Sequence, residues 1–195
     1  IVTDSFLIDG HETPTLDLIK KTYQHYLGCQ ELHVLKNAPH DHIDMFAKFV
    51  NQKTILINEI AADISLPKDL TERDRSATKA YKEGLDEIAK ELSPFFNIRR
   101  IPMPFIIDGI FRTYTNSVLI NKKALIPRFQ QNTLSDKPFP DQEQMASYEK
   151  EVEKIYREFG YERVFILADD LIAHGGGLHC ATSQLPKNTI PLALQ

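Results

Sequence analysis

Apolar, β-branched runs alternate along this chain with stretches whose apolar residues recur at helical spacing, and the alternation repeats. The first run covers 1–8 and closes at Asp9-Gly10. Leu16, Ile19, Tyr23, Tyr26 and Leu27 follow near helical spacing, with Gly28 as a stop, which predicts a helix over 15–27. Residues 31–35 read as a short strand. A fuller unit comes next. The runs 46–50 and 54–60 flank Asn51-Gln52-Lys53 and read as a hairpin, an Ala-, Lys- and Glu-rich helix is expected over 71–92, and 98–101 reads as a strand stopped by Pro102 and Pro104. The pattern then recurs. Runs 117–120 and 124–129 flank Asn121-Lys122-Lys123, a loop carries Pro138 and Pro140, a helix is expected over 142–159, and a strand over 164–167.

The two hairpin turns, at Asn51 and Asn121, lie 70 residues apart, and the helices that follow are spaced alike. The expected fold is therefore α/β, built from repeated β-hairpin–helix–strand units. The units are read as roughly 1–44, 45–115 and 116–180, with a closing strand over 180–190. The repeat also predicts that the chain starts partway through a unit, with earlier units missing.

Composition narrows the partners. The 195 residues are 42% apolar, enough for one sizeable core or two small ones. Net charge is −4 and no Lys- or Arg-rich block stands out, so nucleic acid is not expected as a partner. No apolar run reaches the roughly 18 residues of a membrane span. Two cysteines, Cys29 and Cys180, make no disulfide framework and fit a reducing, cytoplasmic setting. Ile1 is not an initiator methionine, so the true N-terminus is not visible.

The chemistry gathers at one point of the repeat, after each closing strand and before the next hairpin. There stand His42 and Asp44, then Tyr114 and Asn116, then His179 and Cys180. If the units pack around a common axis, these positions converge. Cys180 follows Gly175-Gly176-Gly177, which lets backbone approach a ligand and offer N–H donors to a thiolate. His42 suits both giving and taking a proton. In an extended segment Asp44, two residues on, would share its side, with Asp44 binding a cation. A competing metal reading uses His40, His42 and Asp44 with His174 and His179. Cys29 is expected in the core, His33 and His40 at the surface, and Arg99-Arg100 as surface charge. Asn116 alone would be an ordinary turn residue, and gains weight from its repeat position.

Gly175-Gly176-Gly177-Leu178-His179-Cys180-Ala181-Thr182-Ser183-Gln184 resembles the C-terminal nucleophile motif of agmatine deiminases and bacterial-type peptidylarginine deiminases. The segment from His42 and Asp44 to Val50 resembles their His-x-Asp block. Tyr114-Thr115-Asn116, with Leu119-Ile120-Asn121 and Ile126-Pro127, resembles their third block. The order of the three is kept. The resemblance implies a five-fold pseudo-symmetric α/β-propeller, of which about three units are present. It implies that Cys180 attacks a guanidinium carbon and that His42 protonates departing ammonia and then activates water. It further implies that Asp44 holds the guanidinium nitrogens and that Asn116, Gly177 and His179 line the pocket. No cofactor and no metal are implied. The expected substrate is peptidyl-arginine or a related arginine derivative. Agmatine is the alternative, as is a propeller that binds guanidines without turnover. Expected protein partners are a second copy or a complementary N-terminal segment. Two departures stand out. Asp41 occupies the place where many relatives have glycine, and the carboxylate and acidic-Gly-Gly segment of the family's N-terminal half are not in this sequence. The 195 residues by themselves are therefore expected to be inactive.

Overall fold

The computed structural model describes residues 2–3, 15–130 and 142–183. The chain opens with β1 (Val2–Thr3), α1 (Leu16–Leu27) and β2 (Val34–Leu35), and β1 pairs parallel to β2. Thr15 caps α1, accepting the Leu18 N–H at 3.3 Å, and Gly28 ends it in the left-handed region at φ 64°.

Two full units follow. In the first, β3 (Ala47–Phe49) turns back antiparallel onto β4 (Thr54–Glu59). Then α2 (Glu72–Leu92) crosses over to β5 (Asn97–Pro102), which lies parallel to β4. In the second, β6 (Val118–Ile120), β7 (Lys123–Arg128), α3 (Gln142–Glu158) and β8 (Glu162–Leu167) repeat that order and those pairings. A short α4 (Asp169–Ala173) leads into the glycine run.

Local chemistry accounts for these elements. Asn51 Oδ1 accepts the Lys53 N–H at 2.9 Å and closes the first hairpin. The second hairpin turns through Asn121 and Lys122, with φ of 48° and 62°, a pair of left-handed residues whose twist suits a two-residue hairpin. Thr71 caps α2 by accepting the Asp74 N–H at 3.1 Å. Ile55, Leu56 and Ile57 on β4 are all fully buried, because β4 is the middle strand and is covered on both faces. Ile55 and Ile57 pack under α2 with Tyr81, Leu85, Ile88 and Leu92. Leu56 faces the second unit and joins a cluster with Tyr114, Ile126, Val152, Ile155 and Tyr156. Each such side chain contributes about 1.5–3 kcal/mol on burial.

Several expectations need correction. Arg99 is not idle surface charge. It reaches from β5 to Glu151 at 3.3 Å and Glu158 at 3.2 Å on α3, tying the units together. Arg100 pairs with Asp86 at 2.9 Å. Pro102 does not stop β5 short but forms its last pair, with Glu59. Cys29 joins neither core cluster, and its thiol donates to the Glu31 carbonyl at 2.8 Å. His33 is half-buried against Phe95 and Phe96. Residues 178–181 form a turn where a strand was expected to begin. Residues 182–183 are not in a strand, and 184–190, most of the first run, and the loop with Pro138 and Pro140 lie outside the described residues.

Candidate active site

The site is assembled where the two full units meet. His42 is extended, but Asp44 lies in a single 3₁₀ turn, Ile43–Met45, so the two do not share a side by strand alternation. A buried polar chain shapes this turn. Asn58 Nδ2 and the Tyr81 hydroxyl both donate to the Met45 carbonyl, at 2.8 and 3.1 Å. Thr115 Oγ1 donates to the Asp44 carbonyl at 3.1 Å, and Thr113 Oγ1 joins Thr115 to Asn58. These groups are buried and every one of them is bonded, so the turn is held rigidly.

The next unit supplies Asn116, buried immediately before β6. Its Oδ1 accepts the His179 N–H at 2.7 Å, which fixes the amide's orientation. Its Nδ2 then faces the Cys180 sulfur at 3.2 Å and the Met45 sulfur at 3.5 Å. Gly177 makes this approach feasible. A Cβ there would stand 2.3 Å from Asn116 Oδ1 and 2.5 Å from its Cγ. Among the described residues no backbone N–H reaches the thiol, so the expected glycine-loop donors are replaced by one side-chain amide.

Asp44 Oδ2 closes the arrangement. It lies 2.7 Å from His179 Nδ1 and accepts from the Cys180 thiol at 3.4 Å. Its second oxygen has no hydrogen-bond partner among the described residues. A thiolate this close to a carboxylate is repelled by it, whereas a planar cation lying between them would relieve both. Cys180 itself is exposed.

In front of the thiol is a cleft of about 360 Å³, lined by His40, His42, Asp108, Phe111, Ile172 and Cys180 among others. The exposed His42 ring stands on this wall and makes an edge contact with His40, 5.7 Å between centroids. His40, expected at the surface, is half-buried instead. Its Nδ1 accepts the His42 N–H at 3.0 Å, which fixes the loop. Burial, then the neighbouring His42, push the His40 imidazole below its ordinary value. Gly84 on α2 admits this loop, because a Cβ there would lie 2.9 Å from Pro39 Cβ. Opposite, Asp74 accepts the backbone N–H groups of Asp108 and Gly109 at 3.1 and 3.0 Å and pins the far rim. His174 points elsewhere, to the Asp170 carbonyl, and among the described residues no three His, Cys, Asp or Glu converge as metal ligands.

The family model for Porphyromonas-type peptidyl-arginine deiminases matches residues 1–186. The chain belongs to that family. Solved structures agree in fold. The Campylobacter jejuni agmatine deiminase superposes with a TM-score of 0.63 at 20% identity, covering 91% of this chain and 49% of that one. A Porphyromonas gingivalis structure described as an arginine deiminase gives 0.63 at 23% identity, covering 95% and 52%. The Enterococcus faecalis agmatine deiminase gives 0.65 at 16% identity, covering 94% and 53%. The chain thus spans about half the length of these neighbours and shares their mixed α/β fold. Within the peptidyl-arginine deiminase frame, Asp44, Asn116, Gly177, His179 and Cys180 meet in one place and His42 stands on the adjoining wall. Sequence reasoning weighed His40 only as a metal ligand or surface residue and Thr115 only as part of a motif, and it missed the hold of His40 on the loop, the bond from Thr115 to the Asp44 carbonyl and the clamp at Asp74. The signal for His40 was its place two residues before His42 in the His40-x-His42-x-Asp44 spacing.

Proposed function

We propose that this protein deiminates a guanidino group through a covalent cysteine intermediate. One observation carries the reading: the Cys180 sulfur lies 3.4 Å from Asp44 Oδ2 and 3.2 Å from Asn116 Nδ2, at the foot of an open cleft. The guanidinium docks between Asp44 and the thiol in a charge-assisted pair. The Cys180 sulfur forms a bond to the central carbon, the C–N bond to one NH2 breaks, and His42 gives that nitrogen the proton it needs to leave as ammonia. His42, now neutral, takes a proton from water. The oxygen adds to the thiouronium carbon, the C–S bond breaks, the remaining hydroxyl proton passes to solvent, and the neutral ureido product leaves with the thiolate restored. Asn116 and the Gly177–His179 backbone hold the sulfur in line.

Peptidyl-arginine, or another arginine derivative, is the leading substrate class. The family match supports it, as does Ala181-Thr182-Ser183-Gln184, which departs from the Ile-Thr-Gln-Gln-like continuation usual in agmatine deiminases. Agmatine is the second reading, favoured by Asp108 on the cleft rim, whose charge suits a substrate with an ammonium at its far end.

Two experiments test this. Treatment with 2-chloroacetamidine, a guanidine mimic, is expected to label Cys180 and not Cys29. Ammonia and ureido-product assays on the intact natural protein, with an arginyl peptide, free arginine and agmatine, then rank the substrates. Reversible guanidine binding with neither labelling nor turnover would replace the enzyme with a binding protein.

A further inference from the structure

The residue cast as acid and base is fixed in place by one neighbour. The His42 carbonyl accepts the Met45 N–H at 3.1 Å, inside the rigid 3₁₀ turn. At its other end the His42 N–H goes to His40 Nδ1, at 3.0 Å. Among the described residues the His42 ring makes no hydrogen bond, and its ring contact is the edge of His40. His40 is itself wedged. Its ring meets Phe111 edge-on, 5.3 Å between centroids, and Pro39 before it sits against Gly84 on α2.

A side chain that accepts the N–H two residues further on is the turn device of Asn and Asp. A histidine can do the same only through a bare ring nitrogen. Because the His42 N–H can only donate, the hydrogen bond assigns the lone pair to Nδ1 of His40 and the proton to Nε2. An imidazolium carries N–H on both nitrogens and cannot accept. The surroundings favour the bare form. Burial, then charge on His42, push the His40 imidazole below its ordinary value, against Asp41 and Asp44, which raise it. Asp108 and Cys180 also line the cleft, and from α2 Tyr81 packs on Phe111. The two imidazoles therefore divide the work. His42 carries the proton that departing ammonia takes, and that charge, with the rings 5.7 Å apart, opposes a second proton on His40.

We propose that His40 is a positioning residue for His42: its bare Nδ1 holds the His42 backbone, and with it the acid–base ring, on the cleft wall, and a proton taken up by His40 releases that hold. The proposal rests on His42 being the acid–base group of the reading above, yet the state of His40 can be read without turnover.

Two measurements on the intact natural protein test it. Imidazole nitrogen NMR of histidine-labelled protein, with His40 assigned by its loss in H40N, is expected to show the proton on Nε2 at neutral pH. A proton on Nδ1 would overturn the proposal. Kinetics then compare H40A and H40N with the parent, on the best substrate of the assays above. H40A loses the acceptor, and the misplaced acid–base ring is expected to cost roughly ten- to a hundredfold in kcat, with KM within about threefold of the parent's. H40N keeps an acceptor for the N–H two residues on and has no ring nitrogen to protonate. It is expected to recover most of kcat and to stay active to lower pH than the parent. An H40A enzyme with parental kcat would overturn the proposal, as would an H40N enzyme no better than H40A, or one that loses activity on acidification at the same pH as the parent. The spectrum and H40N keep the test available if H40A does not fold. Absence of turnover in the parent would end the deiminase reading and leave the nitrogen spectrum standing as the test of the His40 hold.

Discussion

Gly177→Ala is the sharpest perturbation the site offers. The added Cβ would meet Asn116 Oδ1 at 2.3 Å, Cγ at 2.5 Å and Nδ2 at 2.9 Å. Asn116 cannot step aside cheaply, because it is buried and its neighbour Thr115 is bonded to the Asp44 carbonyl. Either the glycine loop lifts or the amide is forced off its partners. Lifting the loop breaks the 2.7 Å bond to the His179 N–H and the 3.2 Å contact with the Cys180 sulfur. Overpacking costs about 1–3 kcal/mol, and stranding a buried amide costs a similar ~1–3 kcal/mol. The two outcomes are largely alternatives, so the local penalty is about 1–3 kcal/mol. Most of it falls on the loop, so the melting temperature should drop by only a few degrees. Displacing the sulfur by about 1 Å should cost roughly a hundredfold in reaction with 2-chloroacetamidine. The assay is the pseudo-first-order rate of Cys180 labelling, followed by mass, beside a thermal melt. Asn116→Ala makes room for the new methyl, so the double variant should lose less than the sum of the singles, with a coupling of about 1–3 kcal/mol. A G177A protein that labels at the parental rate would refute the reasoning, as would strict additivity with N116A.

Other perturbations separate charge from shape. Asp44→Asn keeps the volume and removes the charge. Labelling by cationic 2-chloroacetamidine should fall about a hundredfold, while labelling by neutral iodoacetamide should hold or rise, because the carboxylate 3.4 Å from the sulfur is gone. Lys48→Met should stabilise the fold at neutral pH. The folded ammonium titrates near 8 against an ordinary 10.5, so between those values the unfolded chain binds more protons and the parent's stability rises with pH. At pH 7 the full difference sets a ceiling of ~3 kcal/mol, and the partial exposure of the side chain reduces the expected gain to about 1–2 kcal/mol. Denaturant melts at pH 7 and above pH 10.5 check this, since the gain must vanish at the higher pH. Gly84→Ala should raise helix propensity by about 1 kcal/mol yet push Pro39 and the loop bearing His40 and His42 outward. Turnover should then fall more than stability, read as kcat beside the melting temperature.

Much of this fold was legible because its signals are local. The caps at Thr15 and Thr71, the stop at Gly28, the turns at Asn51 and Asn121, and the spacing of Ile55 to Ile57 each act within a few residues of themselves. A window of five to fifteen residues therefore carries them, and the strands and long helices of the two full units fell within a residue or two of the sequence reading, whereas the 31–35 run narrows to Val34–Leu35 and a turn stands where the closing strand was expected to begin. The polar residues at equivalent points of the repeat could also be picked out.

What the sequence left open depended on contacts across large separations. A 3₁₀ turn at Ile43–Met45 instead of an extended segment follows from Asn58, Tyr81 and Thr115 gripping two carbonyls from other elements. The bridge from Arg99 to α3 and the half-buried places of His40 and Lys48 likewise arise only when one unit packs on the next, and the Asp74 clamp on the 108–109 loop only when distant parts of one unit meet. The sequence by itself determined the repeating units and the residue types at their junctions, since backbone hydrogen bonding and helical or strand periodicity are short-range. Tertiary structure alone decided that Asp44, Asn116 and Cys180 come within hydrogen-bonding reach. That convergence is set by how two buried faces fit together, which no stretch of neighbouring residues encodes.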